Sequence, residues 1–260
     1  MQNRIFSVDS AKAVKAQAYG WLNAIQYLAP AGFGGTKNLC VNASPACIAL
    51  CLGLHSGQAG MVADADHGMN SVRQSRVDKT NRFMRDRANY LLDVVRSIDL
   101  LIARARREGF KLCVRLNGSS DVAFEGIRFE IERHRKLAIK ITLSSSANNV
   151  FQHYPEIDFV DYTKIARRFD RVLPANYHLT FSRSETNEQE AIALLARGVN
   201  VAVVFAGVKP ATWQGFDVID GDLHDLRQLD PKGNPHRGVV IALSPKGNKA
   251  KKDRSGFVIR

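Results

Sequence analysis

Six short runs rich in β-branched and aromatic residues, at 111–116, 157–162, 177–181, 199–205, 216–219 and 238–243, constrain this 260-residue chain more than any other feature. Each has the length of a strand, and the stretches between them are long enough for crossovers. Strand, crossover, strand in this rhythm predicts parallel pairing in an α/β fold, as a partial or complete parallel (β/α) barrel or as an open sheet, and the barrel is the expectation we favour. One connecting helix is signalled by Thr186 with Gln189 three residues on, an apolar stripe through Ile192, Leu194 and Leu195, and a stop at Gly198. The first half reads as mainly helical. Trp21, Leu22, Ile25 and Leu28 recur at helical spacing over 10–28, and a long helix is expected from about Lys79 to Glu108, with Gly109 as its stop. With 45% apolar residues the chain suits one domain over 1–260, with 1–37 as a helical N-terminal extension and 246–260 as a basic tail.

Five of the six predicted strands run into polar residues. Leu116 leads into Asn117-Gly118-Ser119-Ser120-Asp121, Val160 into Asp161-Tyr162-Thr163-Lys164, Phe181 into Ser182-Arg183-Ser184-Glu185, Ile219 into Asp220-Gly221-Asp222, and Leu243 into Ser244-Pro245-Lys246. In a parallel barrel the strand ends share one rim, so these clusters are expected to converge on one mouth, the candidate active site, although Ser, Asn, Asp and Gly are also ordinary turn residues. Asp220 or Asp222 suits an acid or base there. With His224 and Asp225 they could instead hold a hard cation, but the run lacks the length and terminal acid of an EF-hand loop.

Three of the four cysteines, Cys40, Cys47 and Cys51, fall within twelve residues. Thiolates gathered this tightly, in a chain that starts without a signal peptide, suit zinc or an iron–sulfur cluster better than disulfides. Three sulfurs leave a fourth position to another ligand, for which His55 is nearest, and a helix through Cys47 and Cys51 would set both sulfurs and His55 on one face. The same spacing also describes a buried Cys/Leu face, and Cys113 reads as core. Asp64, Asp66 and His67 read as a polar loop. Gly32-Phe33-Gly34-Gly35 lacks the spacing of a dinucleotide fingerprint, and neither G-x-S-x-G nor H-E-x-x-H occurs.

Lys and Arg number 37 against 25 Asp and Glu, a formal charge of +12. The excess falls in blocks: Arg73, Arg76, Lys79, Arg82, Arg85 and Arg87, then Arg104, Arg106 and Arg107, then Lys246, Lys249, Lys251, Lys252 and Arg254. Such blocks attract polyanions, nucleic acid above all, or else form a solvated surface. No apolar run reaches the roughly eighteen residues of a membrane span, so a cytoplasmic protein without membrane contact is expected.

The cysteine cluster, then Cys-Val-Arg-Leu-Asn-Gly-Ser-Ser-Asp at 113–121, Asp-Tyr-Thr-Lys at 161–164, Leu-Thr-Phe-Ser-Arg-Ser-Glu at 179–185 and Val-Ile-Asp-Gly-Asp at 218–222, resembles the phage gene-product-88 type proteins over roughly residues 38–258. Those proteins are similar to partial barrels of the radical S-adenosylmethionine class. The resemblance implies a 4Fe-4S cluster on Cys40, Cys47 and Cys51 with its fourth iron open to S-adenosylmethionine, and cofactor contacts from Asn117, Gly118, Ser120, Ser182 and Glu185. The spacing here is Cys-x6-Cys-x3-Cys, where that class usually has Cys-x3-Cys-x2-Cys. The expected function is a radical enzyme that rearranges or functionalises a substituent on a DNA base. Asp121, Lys164 and Asp220 would be catalytic, and Lys164, Arg183 and the basic tail would hold phosphate or carboxylate. Two other readings stay open. One is a zinc-containing barrel transglycosylase that exchanges DNA bases, with Asp121 or Asp220 as nucleophile or base; the other is a non-catalytic nucleic-acid-binding phage protein.

Overall fold

The computed structural model describes residues 4–55, 68–133, 139–231 and 237–260. It begins with β1 (Phe6–Ser7), α1 (Ala11–Gln17) and β2 (Trp21–Gln26), followed by the short helices α2 (Pro45–Ala49) and α3 (Leu52–His55). The long helices α4 (Ser71–Arg85) and α5 (Arg87–Glu108) lead to β3 (Lys111–Arg115), the hairpin β4 (Phe129–Arg133) and β5 (Ile139–Leu143), α6 (Val150–His153), β6 (Asp158–Thr163) and β7 (Tyr177–Ser182). Then come α7 (Glu188–Ala196), β8 (Val201–Phe205), β9 (Thr212–Trp213), β10 (Phe216–Asp220), β11 (Val240–Leu243), α8 (Asn248–Lys251) and β12 (Val258–Ile259).

The six predicted runs are all strands, and together with β2 they pair in parallel in the order β2-β3-β6-β7-β8-β11-β10, so the fold is mixed α/β with a largely parallel sheet. From β2 to β8 the neighbours follow chain order; only β11 and β10 exchange places. The sheet is edged by the antiparallel β1 and β9. The order has a visible consequence in the core. Leu22, Leu112, Val114, Phe159, Tyr177 and Leu179 pack with Tyr90, Leu91, Val94 and Val95 of α5 and Phe151 of α6, while Phe181, Val201, Val203 and Val240 pack with Leu194 and Leu195 of α7. By the two-residue alternation of a strand, all these strand residues share one face, so α5, α6 and α7 lie on one side of the sheet, while Ala16 of α1 packs with Trp21 on the other.

The other face curls. Trp21, Cys113 and Val160 there pack on Leu226, from the segment after β10. Arg115 on β3 lies 3.6 Å from Asp225 of the same segment, and the Tyr19 and His224 rings are 4.9 Å apart. In a flat sheet β3 and β10 would be separated by five strand spacings, roughly 24 Å, more than the few residues from Asp220 to Asp225 bridge at about 3.3 Å each. The 221–230 segment therefore crosses the concave face and fills the strands' N-terminal half, leaving the C-terminal half open.

Several expectations for individual segments are corrected. The helix expected over 10–28 stops at Gln17; residues 21–26 form β2, buried at every position, because Trp21 to Gln26 is packed on both faces of a strand inside the sheet. Residues 1–37 thus supply part of the sheet and are not a helical extension. The long helix is two, broken at Asp86, whose carboxylate accepts from the Asn89 amide; it ends as expected at Gly109, at φ 73°, which glycine adopts without strain. Asn187, not Thr186, precedes α7, and its side-chain oxygen turns back to the Ser184 amide. Residues 246–260 are no tail. β12 pairs with β8 at Val204 and Phe205, just past the point where β7 stops pairing with it at Ala202, so this segment wedges into the splay of the sheet.

Candidate functional site

The C-terminal ends of β3, β6, β7, β8 and β11 surround a cavity of about 240 Å³, and Cys40, Cys47 and Cys51 all line it. Gly118, Ser119, Ser120 and Asp121, Thr163 and Lys164, Ser182, Asp222, Ser244 and Lys246 line it with them, so the rim clusters converge on one mouth.

The cysteine segment is stitched to this rim strand by strand. At β3, the Asp121 amide donates to Leu39 O (3.0 Å) and the Cys40 thiol to Ser119 O (3.7 Å). At β6, Asn42 Nδ2 donates to Lys164 O (3.3 Å). Past β7, Glu185 accepts from the Ser44 hydroxyl (2.8 Å) and the Ala46 amide (2.9 Å), while Ser44 caps α2 by accepting from the Cys47 amide. From the helix side, Arg73 donates to Leu54 O (3.0 Å) and Arg76 to Gly53 O (2.6 Å), with the Arg76 guanidinium 4.7 Å above the Tyr27 ring. Irregular backbone cannot satisfy its own polar groups, so these side chains do it. At Gly118 the chain passes so near β2 that a Cβ would stand 2.6 Å from Gln26 O.

Burial pushes the Cys40 thiol up to about 12 and Cys51 to about 11. A cation bound here must displace those protons, and the Arg76 charge eases this at Cys51. Among the described residues, no three Cys, His, Asp or Glu side chains are gathered around a point that would hold one metal ion. His55 is buried in α3 and does not line the cavity. The three sulfurs therefore border a shared space without converging on one point.

The family model described as gene product 88 matches residues 4–260. The chain belongs to the gene product 88 family. No curated protein and no solved structure matches it.

Within this gene product 88 protein the expected site residues divide by task. Lys164 and Ser182 face the cavity on the concave side of their strands, with Nζ 2.7 Å from the Ser182 hydroxyl and 5.4 Å from the centre of the Phe257 ring. Lys164 makes no ion pair among the described residues. Asp121 lines the cavity but is committed: Arg168 binds it at 2.9 Å and the Lys164 amide at 2.8 Å, and burial pushes its pKa up against both. Asn117 spends its side chain on Asp161, Val122 and Ser120, so it and Ser120 shape the turn that presents Gly118 and Ser119. Glu185 anchors α2 and lies outside the cavity lining.

Asp220 is outside the cavity too. It continues the parity of Phe216 and Val218, which face the helices, and pairs with Lys209 in solvent. Asp222 takes the cavity position, and burial, which opposes its charge, is outweighed by Lys209, the Ser244 amide (2.8 Å) and Lys246 (3.1 Å), which hold it well below the usual carboxylate range. Arg183, expected to hold phosphate, is buried; it pairs with Glu188 at 2.6 Å and donates to the carbonyls of Gly256 and Phe257, latching the β12 segment. Asp64, Asp66 and His67 lie outside the described residues.

Three cavity residues were given no role from the sequence, although Arg115 and Tyr162 lie within the quoted 113–121 and 161–164 segments. Arg115 stacks 4.7 Å over the Tyr162 ring, and burial, which opposes its charge, is outweighed by Asp225 and Tyr162, so its pKa rises. Tyr162 has a buried hydroxyl with no hydrogen-bond partner among the described residues. Phe257 arrives with the β12 segment. Strand alternation from Cys113 and Val160 could have flagged the first two; nothing local flags Phe257. Among the described residues no helix is long and apolar enough to cross a membrane.

Proposed function

We propose that this gene product 88 protein is a radical S-adenosylmethionine enzyme acting on nucleic acid. The observation that carries the reading is the meeting of Cys40, Cys47 and Cys51 at one cavity over the C-terminal ends of parallel strands. A 4Fe-4S cluster with S-adenosylmethionine at its open iron would supply one-electron chemistry there. The chain's own residues supply the rest. The rim stitches hold three thiols from an irregular segment at fixed places, Lys164 with Ser182 offers the cavity an unpaired cation for an anionic group of a ligand, and Phe257 with Leu243 walls the mouth against water. Charge supports the substrate class: exposed Lys246 lines this mouth, and exposed Lys251, Lys252 and Arg254 belong to the segment that brings Ala250 and Phe257 to it, which favours a polyanion. A transglycosylase reading is less well supported, because Asp121 is locked by Arg168 and Asp220 stands outside the cavity.

The test is anaerobic purification of the wild type and of a Cys40→Ala/Cys47→Ala/Cys51→Ala variant, with iron, sulfide and zinc analysis and visible spectra. About four irons and four sulfides per chain are expected, lost in the variant while its thermal melt is retained. About one zinc and no iron in the wild type would sink the proposal.

A further inference from the structure

The wall behind the thiol cavity, residues 256–258, has a second cavity on its other side, of about 450 Å³. Phe257 faces the thiols, while Gly256 and Val258 face the second cavity. Its opposite wall is the β9–β10 hairpin, where Gln214 (φ 49°) and Gly215 (φ 76°) make a two-residue left-handed turn that presents the half-buried Trp213. Arg254 and Arg260 also line it.

The acids in this groove are already matched. Glu188 is held by Arg183 at 2.6 Å and by Gln214 Nε2 at 3.2 Å, and Asp253 accepts from Ser255 and from the Val258 amide. Arg260 is fixed in place by donating to Asp253 O (3.0 Å) and Lys251 O (2.8 Å), and neither it nor Arg254 has a carboxylate partner among the described residues. Asp253 keeps its charge, because only neutral donors hold it, so the three guanidiniums and two carboxylates of the groove leave one net positive charge. An indole beside two guanidiniums that have no carboxylate partner among the described residues offers a stacking face for a base and donors for phosphate, in a volume typical of small-ligand sites.

We infer that this groove is a nucleotide subsite, taking one base of a single-stranded nucleic acid against Trp213 and the adjoining phosphates on Arg254 and Arg260, while a neighbouring nucleotide occupies the thiol cavity. The inference deepens the nucleic-acid part of the proposed function and rests on it, but it needs no bound cluster to be tested.

The chain has two tryptophans, and Trp21 is buried on the concave face, so quenching of indole emission reports on Trp213. Titration with a short single-stranded oligodeoxynucleotide is expected to quench that emission. Trp213→Ala should weaken binding, followed by fluorescence anisotropy of labelled oligonucleotide, by roughly 5- to 150-fold, the loss of one stacked base. Arg254→Ala and Arg260→Ala should each flatten the plot of log affinity against log salt by about 0.7. Arg107→Ala, at the opposite end of the strands, is the control that changes neither. Oligonucleotide binding that survives the groove variants unchanged would overturn the subsite and leave nucleic acid as the substrate. No binding by a wild type with a normal thermal melt would overturn both.

Discussion

In α4, Arg73, Arg76 and Lys79 are buried at 1%, 4% and 8% exposure, whereas Lys246, Lys251, Lys252 and Arg254 of the 246–260 segment stand in solvent. Both regions are dense in positive charge, and they use it differently. The α4 guanidiniums donate inward, to carbonyls of the cysteine segment, which has little regular structure of its own to satisfy them. The later cations border two cavities and carry the field that a polyanion would meet. Two of the cations that make the chain look like a polyanion binder, Arg73 and Arg76, are therefore scaffold for the thiol segment. Only exposed cations can steer a partner.

The sharpest way to break this contrast is Arg73→Ala. It removes donors to Leu54 O and Gly68 O (2.5 Å) and leaves a buried space, so a loss on the order of 3 kcal/mol is expected in urea unfolding. A loss within 0.5 kcal/mol, the usual range of surface changes, would show that the buried block is no scaffold.

Lys79 sharpens it from the other sign. Burial, with the Arg76 charge adding to it, pushes Lys79 down to about 8 from 10.5. The folded state thus favours the neutral amine: the wild type is penalised below pH 8, and its stability rises with pH from about 8 to about 10.5 as the unfolded chain also loses its proton. Lys79→Met is accordingly expected to stabilise the protein at pH 7 by about 2 kcal/mol, with the gain shrinking as pH rises from about 8 to about 10.5. A gain independent of pH would assign the effect to packing instead.

The smallest effect belongs to the exposed block. Lys251→Ala with Lys252→Ala should leave unfolding within about 0.5 kcal/mol of wild type and still weaken oligonucleotide binding, more at low salt than at high. Unaltered binding at low salt would remove the segment from the interface.

Much of the fold was legible because its signals are local. The six apolar runs, the stop at Gly109 and the polar residues after five of those runs depend on neighbours a few positions away, and parallel pairing follows from the lengths between them. The convergence of the Asn117–Asp121, Lys164 and Ser182 clusters followed from parallel strands sharing one rim, whereas the place of Cys40, Cys47 and Cys51 beside them was implied only by the family resemblance. β2 was not. Its apolar residues at 21, 22 and 25 fit a helix face as well as a strand covered on both sides, and only α5 and Leu226, packed on its two faces, decide between them.

The sequence by itself determined the sheet's parallel character, the single rim and the set of groups offered to it. Tertiary structure alone decided which groups face the cavity. Shifting along a strand by one residue exchanges its faces, so Asp220 points away while Asp222, beyond the strand's end, turns in. Burial is likewise fixed by partners distant in the chain, which is why Arg183 became a latch for residues 256 and 257, Asp121 a partner for Arg168, and Lys164 the cation left unpaired.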